Sequence, residues 1–322
     1  VADSPSPAPS GSRWKRRLGY SAFFSLALLV GLYVTFPYDL VKARLQQFMD
    51  ARNLYVRMSS LGPGLSGITA RDVQISPKLL GVTDRPVPAF MLKSVVVRPT
   101  LFPPGVQVKV ETLGGVVRAQ VGATGATEPL KVQLELDGLS LEDPELKEYT
   151  GAQLAGKVVG RVDLSLPRLP LPKGSPPGTQ ADADLSQASG VVDVKVSGLQ
   201  VNGGSITLPM YGEATPVDLP KIVAGDTDLK INFDRGMGKV DTFHAKGEDL
   251  EMVVEGTLKL GKKLELSEPN LDLRLKTEPE FVKRLGMVGA ALSMLGPDKK
   301  DPQFRAGKLT GLLSRPNFQP AR

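Results

Sequence analysis

The sequence predicts a mainly β protein: an N-terminal single transmembrane helix and a neck helix, then a curved antiparallel β-sheet domain with one C-terminal amphipathic helix. Three observations carry this reading. An uncharged apolar run lies beside a basic cluster near the N-terminus. From about Tyr55 onward apolar and polar residues alternate with period two, the pattern of strands with one dry face. With 34 glycines, 27 prolines and only 6% aromatics, the composition suits many strands joined by turns better than a helical bundle.

Residues 1–12 are rich in Pro, Ser, Ala and Gly and cannot bury enough apolar surface to fold. The basic residues Arg13, Lys15, Arg16 and Arg17 follow, so 1–17 is expected to be a disordered cytoplasmic tail that sets the topology. Leu18 to Phe36 carries no charge, and about 20 apolar residues cross a bilayer core. Residues 18–37 therefore form the expected anchor, with Phe23, Phe24, Leu28, Leu29 and Leu32 among its apolar side chains and Trp14 and Tyr38 at its ends. A cleaved signal peptide would end in small residues, whereas this run ends in Thr35-Phe36-Pro37-Tyr38. Because Lys and Arg stay on the cytoplasmic side, everything after Tyr38 is expected outside the cytoplasm.

Residues 38–54 read as an amphipathic neck helix entered at Pro37, with Val41, Leu45, Phe48 and Met49 on one face packing on the domain; a helix lying in the membrane interface is the alternative. Residues 55–322 form one β-rich domain. Its strands are read from Val106–Glu111, Leu130–Asp137, Val158–Leu166, Val192–Val196, Leu229–Asp234, Leu258–Leu260 and Leu271–Lys276. Turns are expected at Gly114-Gly115, Asp137-Gly138, Gly203-Gly204, Gly236-Met237-Gly238 and Gly261-Lys262-Lys263. Three segments interrupt the alternation. Leu141–Thr150 reads as one or two helical turns, and 167–184, with five prolines, as an extended loop. Residues 278–295 read as a helix capped by Thr277 and Glu280, with Phe281, Leu285, Val288, Leu292 and Leu295 in one stripe, stopped by Gly296-Pro297. A last strand falls near Lys308–Leu313.

The chemistry-bearing motifs dissolve on inspection. There is no cysteine, which removes thiolate sites and disulfides. Gly62-Pro63-Gly64-Leu65-Ser66-Gly67 matches a dinucleotide fingerprint, but strand-like residues follow where a helix is required. Gly256 to Lys262 nearly spells a phosphate loop, yet Lys263 stands where Ser or Thr would hold magnesium. His244 is the only histidine, too few for a histidine metal cluster. Carboxylates such as Asp226, Asp228, Asp234 and Glu251 read as solvated strand and turn residues. The net charge of +6 is concentrated at the N-terminus, so no nucleic-acid stripe is expected. A non-enzyme without cofactor or metal is the expectation.

Several segments share their order and spacing with a known family: Phe36-Pro37-Tyr38, Leu61–Gly67 leading into Asp72–Ile75, Leu219–Asp234, Ala245–Leu250, Glu255–Leu258, Asn270–Leu275 and Gly307–Pro316. Together they resemble the type II (general) secretion pathway protein N family, from the anchor to the end of the chain. The resemblance implies a bacterial inner-membrane protein with a periplasmic bulk, an accessory subunit contacting the inner-membrane platform or the outer-membrane secretin. Scaffolding would use sheet edges or the proline-rich loop as docking surfaces. The layout is also similar to AsmA-like envelope proteins, which implies a curved sheet lining an apolar groove for membrane lipid. Alternation alone does not separate a filled core from such a groove.

Overall fold

In the computed structural model of the chain, the described residues are 12–50, 54–64, 67–77, 90–101, 104–123, 125, 128–170, 182–210, 213–286, 289, 292 and 295–320. Helix α1 spans Ser12–Thr35 and α2 spans Tyr38–Asp50. Strands β1 (Leu54–Arg57), β2 (Ser60–Gly64), β3 (Gly67–Pro77), β4 (Phe90–Leu101), β5 (Pro104–Thr112), β6 (Gly115–Gly122) and β7 (Leu130–Ser140) precede α3 (Pro144–Thr150). Then come β8 (Ala152–Leu166), β9 (Ser189–Met210), β10 (Glu213–Asp234), β11 (Met237–Lys246), β12 (Leu250–Lys259) and β13 (Glu268–Thr277). Helix α4 (Pro279–Arg284), β14 (Gly296–Pro297), β15 (Arg305–Leu312) and β16 (Arg315–Pro320) complete the order.

All 16 strands among the described residues belong to one antiparallel sheet that does not close, so the mainly β expectation holds. From β3 to β13 each strand pairs with the next in sequence, and β15 follows β13. Each edge is completed by two short strands in line. Strands β1 and β2 both pair with β3, and β14 and β16 both pair with β15. Hairpins of two residues make this meander possible. Leu113-Gly114 (φ 49° and 68°) and Arg235-Gly236 (φ 46° and 78°) have positive φ at both central positions, the turn whose twist matches the strands.

Several expected turns are resolved differently. Asp137-Gly138 lies inside β7 as a bulge, with Gly138 at φ 64° and the register shifting between Leu136 and Leu139. The extra residue returns Leu139 to the face that holds Leu136; without it the side-chain period of two would send Leu139 to the opposite face. Gly203-Gly204 lies within β9, where a Cβ on Gly204 would sit 2.4 Å from the Gly151 carbonyl oxygen. The glycine is needed for close approach, not for reversal. Gly261-Lys262-Lys263 opens a longer connection containing a 3₁₀ turn at Leu264–Leu266, tied by Gly261 N donating to the buried Ser267 hydroxyl at 3.1 Å.

The helices also depart from expectation. Helix α1 begins at Ser12, within the segment expected to be a disordered tail; residues 1–11 lie outside the described set. Backbone hydrogen bonding does not require apolar side chains, so the helix runs back through the basic residues. Helix α2 ends at Asp50 and Leu54 already opens β1, so the neck is shorter than 38–54. The 278–295 helix is broken. Thr277 is the last residue of β13, Glu278 is the cap without a side-chain bond, and the first helix stops at Arg284. Gly286 then takes φ 55°, the left-handed conformation that ends helices. Gly289 and Leu292 have helical backbone again, while Val288 lies outside the described residues. Phe281, Leu285 and Leu295 are nonetheless buried, as the stripe required. Gly296-Pro297 pairs with β15 instead of merely stopping a helix. Of the proline-rich segment, 171–181 lies outside the described residues; its two ends are pinned by an antiparallel bridge between Arg168 and Ala183.

Two small clusters anchor the sheet. Val56, Met58, Ala70 and Val73 pack with Met49 of α2 at the first edge. Ala188, Phe233 and Leu260 pack with Leu185, Leu164, Val192, Ile231 and Leu258 nearer the C-terminal half. One buried carboxylate joins the later elements: Asp249 accepts from Val223 N at 2.7 Å and pairs with the Arg284 guanidinium of α4. Asp249→Ala leaves both donors without this acceptor. It is expected to lower the unfolding free energy by about 2–3 kcal/mol, read as a lower urea midpoint, whereas Asp249→Asn retains part of the loss at Val223.

Candidate functional site

Register turns alternation into two chemically distinct faces. Cross-strand partners share a face in an antiparallel sheet. One row of partners runs Ile68, Val97, Val108, Ala119, Leu134, Val162, Val192 and Ile231 from β3 to β10. It continues through Val240, Gly256, Leu271, Leu309 and Phe318 to β16. Every member is apolar. At about 4.8 Å between strands, the part from β3 to β10 is roughly 34 Å long. None of its eight side chains is buried, and strands make their extensive contacts only with hydrogen-bonded neighbours. From Ile68 to Val162 no second layer lies on the row among the described residues, whereas Val192 and Ile231 pack against the cluster of Ala188, Phe233 and Leu260. Towards the C-terminal half the face is covered locally. The Phe233 ring lies over Gly238, where a Cβ would be 2.4 Å from it, and Leu295 Cδ2 stands 3.1 Å from the position of a Cβ on Gly307.

The opposite face is a charge ladder. Lys109, Arg118, Glu135, Arg161, Asp193 and Lys230 are successive partners, with alternating sign from Arg118 onward. Arg118 lies 3.4 Å from Asp137 and 3.9 Å from Glu135, and Arg161 lies 2.5 Å from Asp163. Opposite charges across strands each contribute roughly 0.2–1 kcal/mol. An open depression of about 650 Å³ lies over this ladder. A second, of about 480 Å³, is lined by Asp72, Lys93, Glu111, Asp143 and Glu145 among others. Lys109, which bonds Glu111 at 2.9 Å, holds that carboxyl below its usual range.

Neither depression contains His244. Its Nε2 lies 2.9 Å from Glu251 Oε1, a cross-strand contact between β11 and β12, and this hydrogen bond is the largest cause of the lowered Glu251 pKa. No group of three or more metal-ligating side chains converges among the described residues. Asp226 accepts from Gly198 N at 2.8 Å, Asp228 pairs with Lys195, and Asp234 lies beside Arg235, so these carboxylates serve strands and turns. Gly62, Pro63 and Gly64 of the glycine motif lie in β2 and Gly67 opens β3, which pairs with β2, so a strand follows the motif in place of a helix; Leu65 and Ser66 lie outside the described residues.

The anchor residues lie on α1. Phe23, Phe24, Leu28 and Leu32 are exposed, as is Arg17; the side chains of Arg13, Lys15, Arg16 and Leu29 lie outside the described set. No single helix is long and apolar enough to cross a membrane over its described residues; Arg17–Tyr33 and Tyr38–Asp50 meet that requirement together, across a bend of 50°. A residue that sequence reading missed joins this helix to the sheet. The Tyr33 hydroxyl lies 2.9 Å from Gly64 O and 2.8 Å from Gly67 O, and accepts from Gly64 N at 3.2 Å. Its one hydrogen serves one of the two carbonyls at a time.

Both edges of the sheet are chemically blunted. At the first, Gln46 of α2 donates to Val56 O and Lys42 to Ser59 O, each at 3.3 Å, while Tyr33 occupies the end of β2. At the other edge β16 carries Pro316 and Pro320, paired with Gly311 and Gly307. The two-residue turn at 313–314 makes Leu312 and Arg315 a hydrogen-bonded pair, so 316, 318 and 320 aim their backbone nitrogens outward. Two of those three nitrogens carry no hydrogen, a known protection against strand addition. Prolines two steps of the strand period apart were the signal available in the sequence.

The architecture defines a class: a single-layer, unclosed antiparallel meander with one apolar and one charged face, blunted edges and an N-terminal apolar helix. No protein-family model matches the chain, and no curated protein or solved structure is significantly similar to it. Restoring the edge donors tests the blunting. Pro316→Thr with Pro320→Thr is expected to give concentration-dependent oligomers by light scattering, where the unaltered protein keeps one molar mass. An unchanged molar mass in the double variant would show that the prolines do not protect this edge.

Proposed function

We propose that this protein is a non-catalytic, inner-membrane-anchored periplasmic subunit of a type II protein secretion system, acting as a scaffold or interaction module. The observation that carries the reading is the joint between an uncharged helix flanked by basic residues and a β-rich body, made by Tyr33 on the β2–β3 hairpin. The order of motifs shared with the secretion pathway protein N family supports the same assignment. The inner-membrane platform and the outer-membrane secretin are the partners this reading implies. With both edges blunted, docking falls to the faces, and the alternating ladder from Arg118 to Lys230 supplies a polar surface with a defined charge order. Deleting the gene is expected to abolish release of folded proteins to the medium while their transfer across the inner membrane continues; normal release would exclude the secretion role.

A second reading is favoured by one specific observation. The row from Ile68 to Val162 is apolar, without a second layer among the described residues, and continuous from the hairpin that α1 touches, which is the arrangement a lipid-binding or lipid-transfer module needs. Protein purified in mild detergent would then carry phospholipid into native mass spectrometry, and Val162→Asp, placing a charge in the row, is expected to strip most of it. A chain that carries no lipid before substitution speaks for the scaffold alone.

A further inference from the structure

We propose that α2 is an interfacial helix: it lies on the surface of the phospholipid bilayer that α1 enters, with Leu40, Leu45 and Phe48 at the level of the headgroups and upper acyl chains. This rests on the membrane-anchor reading above and extends it to how the sheet is held against the surface. The side of α2 turned to the protein mixes polar and apolar residues and leaves Leu40, Leu45 and Phe48 exposed. Tyr38, Lys42, Gln46 and Met49, spaced four, four and three residues apart, form the side turned to the protein. Tyr38 is buried, Lys42 and Gln46 bond the carbonyls of Ser59 and Val56, and Met49 packs on the first core cluster. The expected neck face of Val41, Leu45, Phe48 and Met49 is thereby split. Leu40 is 67% exposed, Phe48 51% and Leu45 40%, on an arc that contains only one charge, Arg44. A long cationic side chain within an apolar arc reaches the headgroups while its stem stays in the apolar layer.

A bilayer, in preference to a protein partner, fits this arc because the arc continues another apolar surface. Only Phe36 and Pro37 separate α1 from α2. Phe23 and Phe24 of α1 are each 71% exposed, and Leu40 comes three residues after Pro37. The joint is aromatic: the Tyr38 ring lies 6.4 Å from that of Tyr33 and 5.2 Å from that of Phe36. Tyrosines at such a position mark the headgroup level. A spanning helix tilts by about 20° on average, so a 50° bend places α2 at about 30–70° from the bilayer normal, and at the upper end of that range it lies close to the membrane plane. An amphipathic helix near the plane buries its apolar side at shallow depth. The Tyr33 bonds to Gly64 and Gly67 then hold the β2–β3 hairpin at the same surface.

The test uses the full chain in phospholipid vesicles containing lipids brominated near the headgroup or deep in the chain. Trp14→Phe removes the only tryptophan. Single tryptophans are then placed at Leu45→Trp, with Leu40→Trp as a second reporter, and at Phe24→Trp in α1. The expected result is stronger quenching of the α2 reporters by shallow bromines and of Phe24→Trp by deep ones. Quenching of Phe24→Trp with none at either α2 site overturns the interfacial helix and leaves the anchor intact. Deep quenching at both α2 sites overturns it in favour of one bent span. No quenching anywhere sinks the anchor reading and this inference with it.

Discussion

A sheet one layer thick survives only if every strand keeps its apolar side chains on the same side as those of its neighbours. Side chains alternate with a period of two, so one misplaced residue sends the rest of a strand to the wrong face. The row from Ile68 to Phe318 shows that constraint met across the sheet. The bulge at Gly138 is part of how it is met, since it absorbs one residue and returns Leu139 to the apolar side. Cohesion then comes from neighbouring strands pair by pair, with the two small clusters and Asp249 adding ties between elements distant in sequence.

Such a layer would grow by adding strands unless its edges were closed. Two different chemistries close them here. At the first edge, polar side chains of α2 and the Tyr33 hydroxyl occupy backbone groups of β1 and β2 and of Ser59 between them. At the last, proline removes the donors themselves. Using Lys42 and Gln46 of α2 on the sheet leaves its leucines facing away, so the closure of an edge and the exposure of an apolar arc are one arrangement. The same elements thus bear on stability, on solubility and on attachment to a surface.

Much of this was legible in the chain. Strands such as Val106–Glu111 and Leu271–Lys276 declare themselves because each residue answers to a local choice between dry and wet. The reversals at Gly114 and Gly236 were readable from their glycines, although each turn begins one residue earlier, with Leu113 and Arg235 also at positive φ. Asp137-Gly138 looked like a turn because a bulge and a turn call for the same residues, and pairing partners decide between them. The 278–295 helix looked continuous because its apolar stripe is, while Gly286 breaks the backbone without disturbing the burial of Phe281, Leu285 and Leu295. The charge ladder was not legible in the chain, since its members lie on six different strands.

Composition and alternation by themselves determined a β-rich chain with an apolar, basic-flanked start, because those properties belong to residues and their near neighbours. Tertiary structure alone decided which strands pair, that no second layer among the described residues covers the row from Ile68 to Val162, and which side of α2 meets the protein. The physical reason is that amphipathic periodicity states only that a strand or helix has two unlike sides. What each side faces depends on partners elsewhere in the chain, and in α2 the carbonyls of Ser59 and Val56 claimed Lys42 and Gln46.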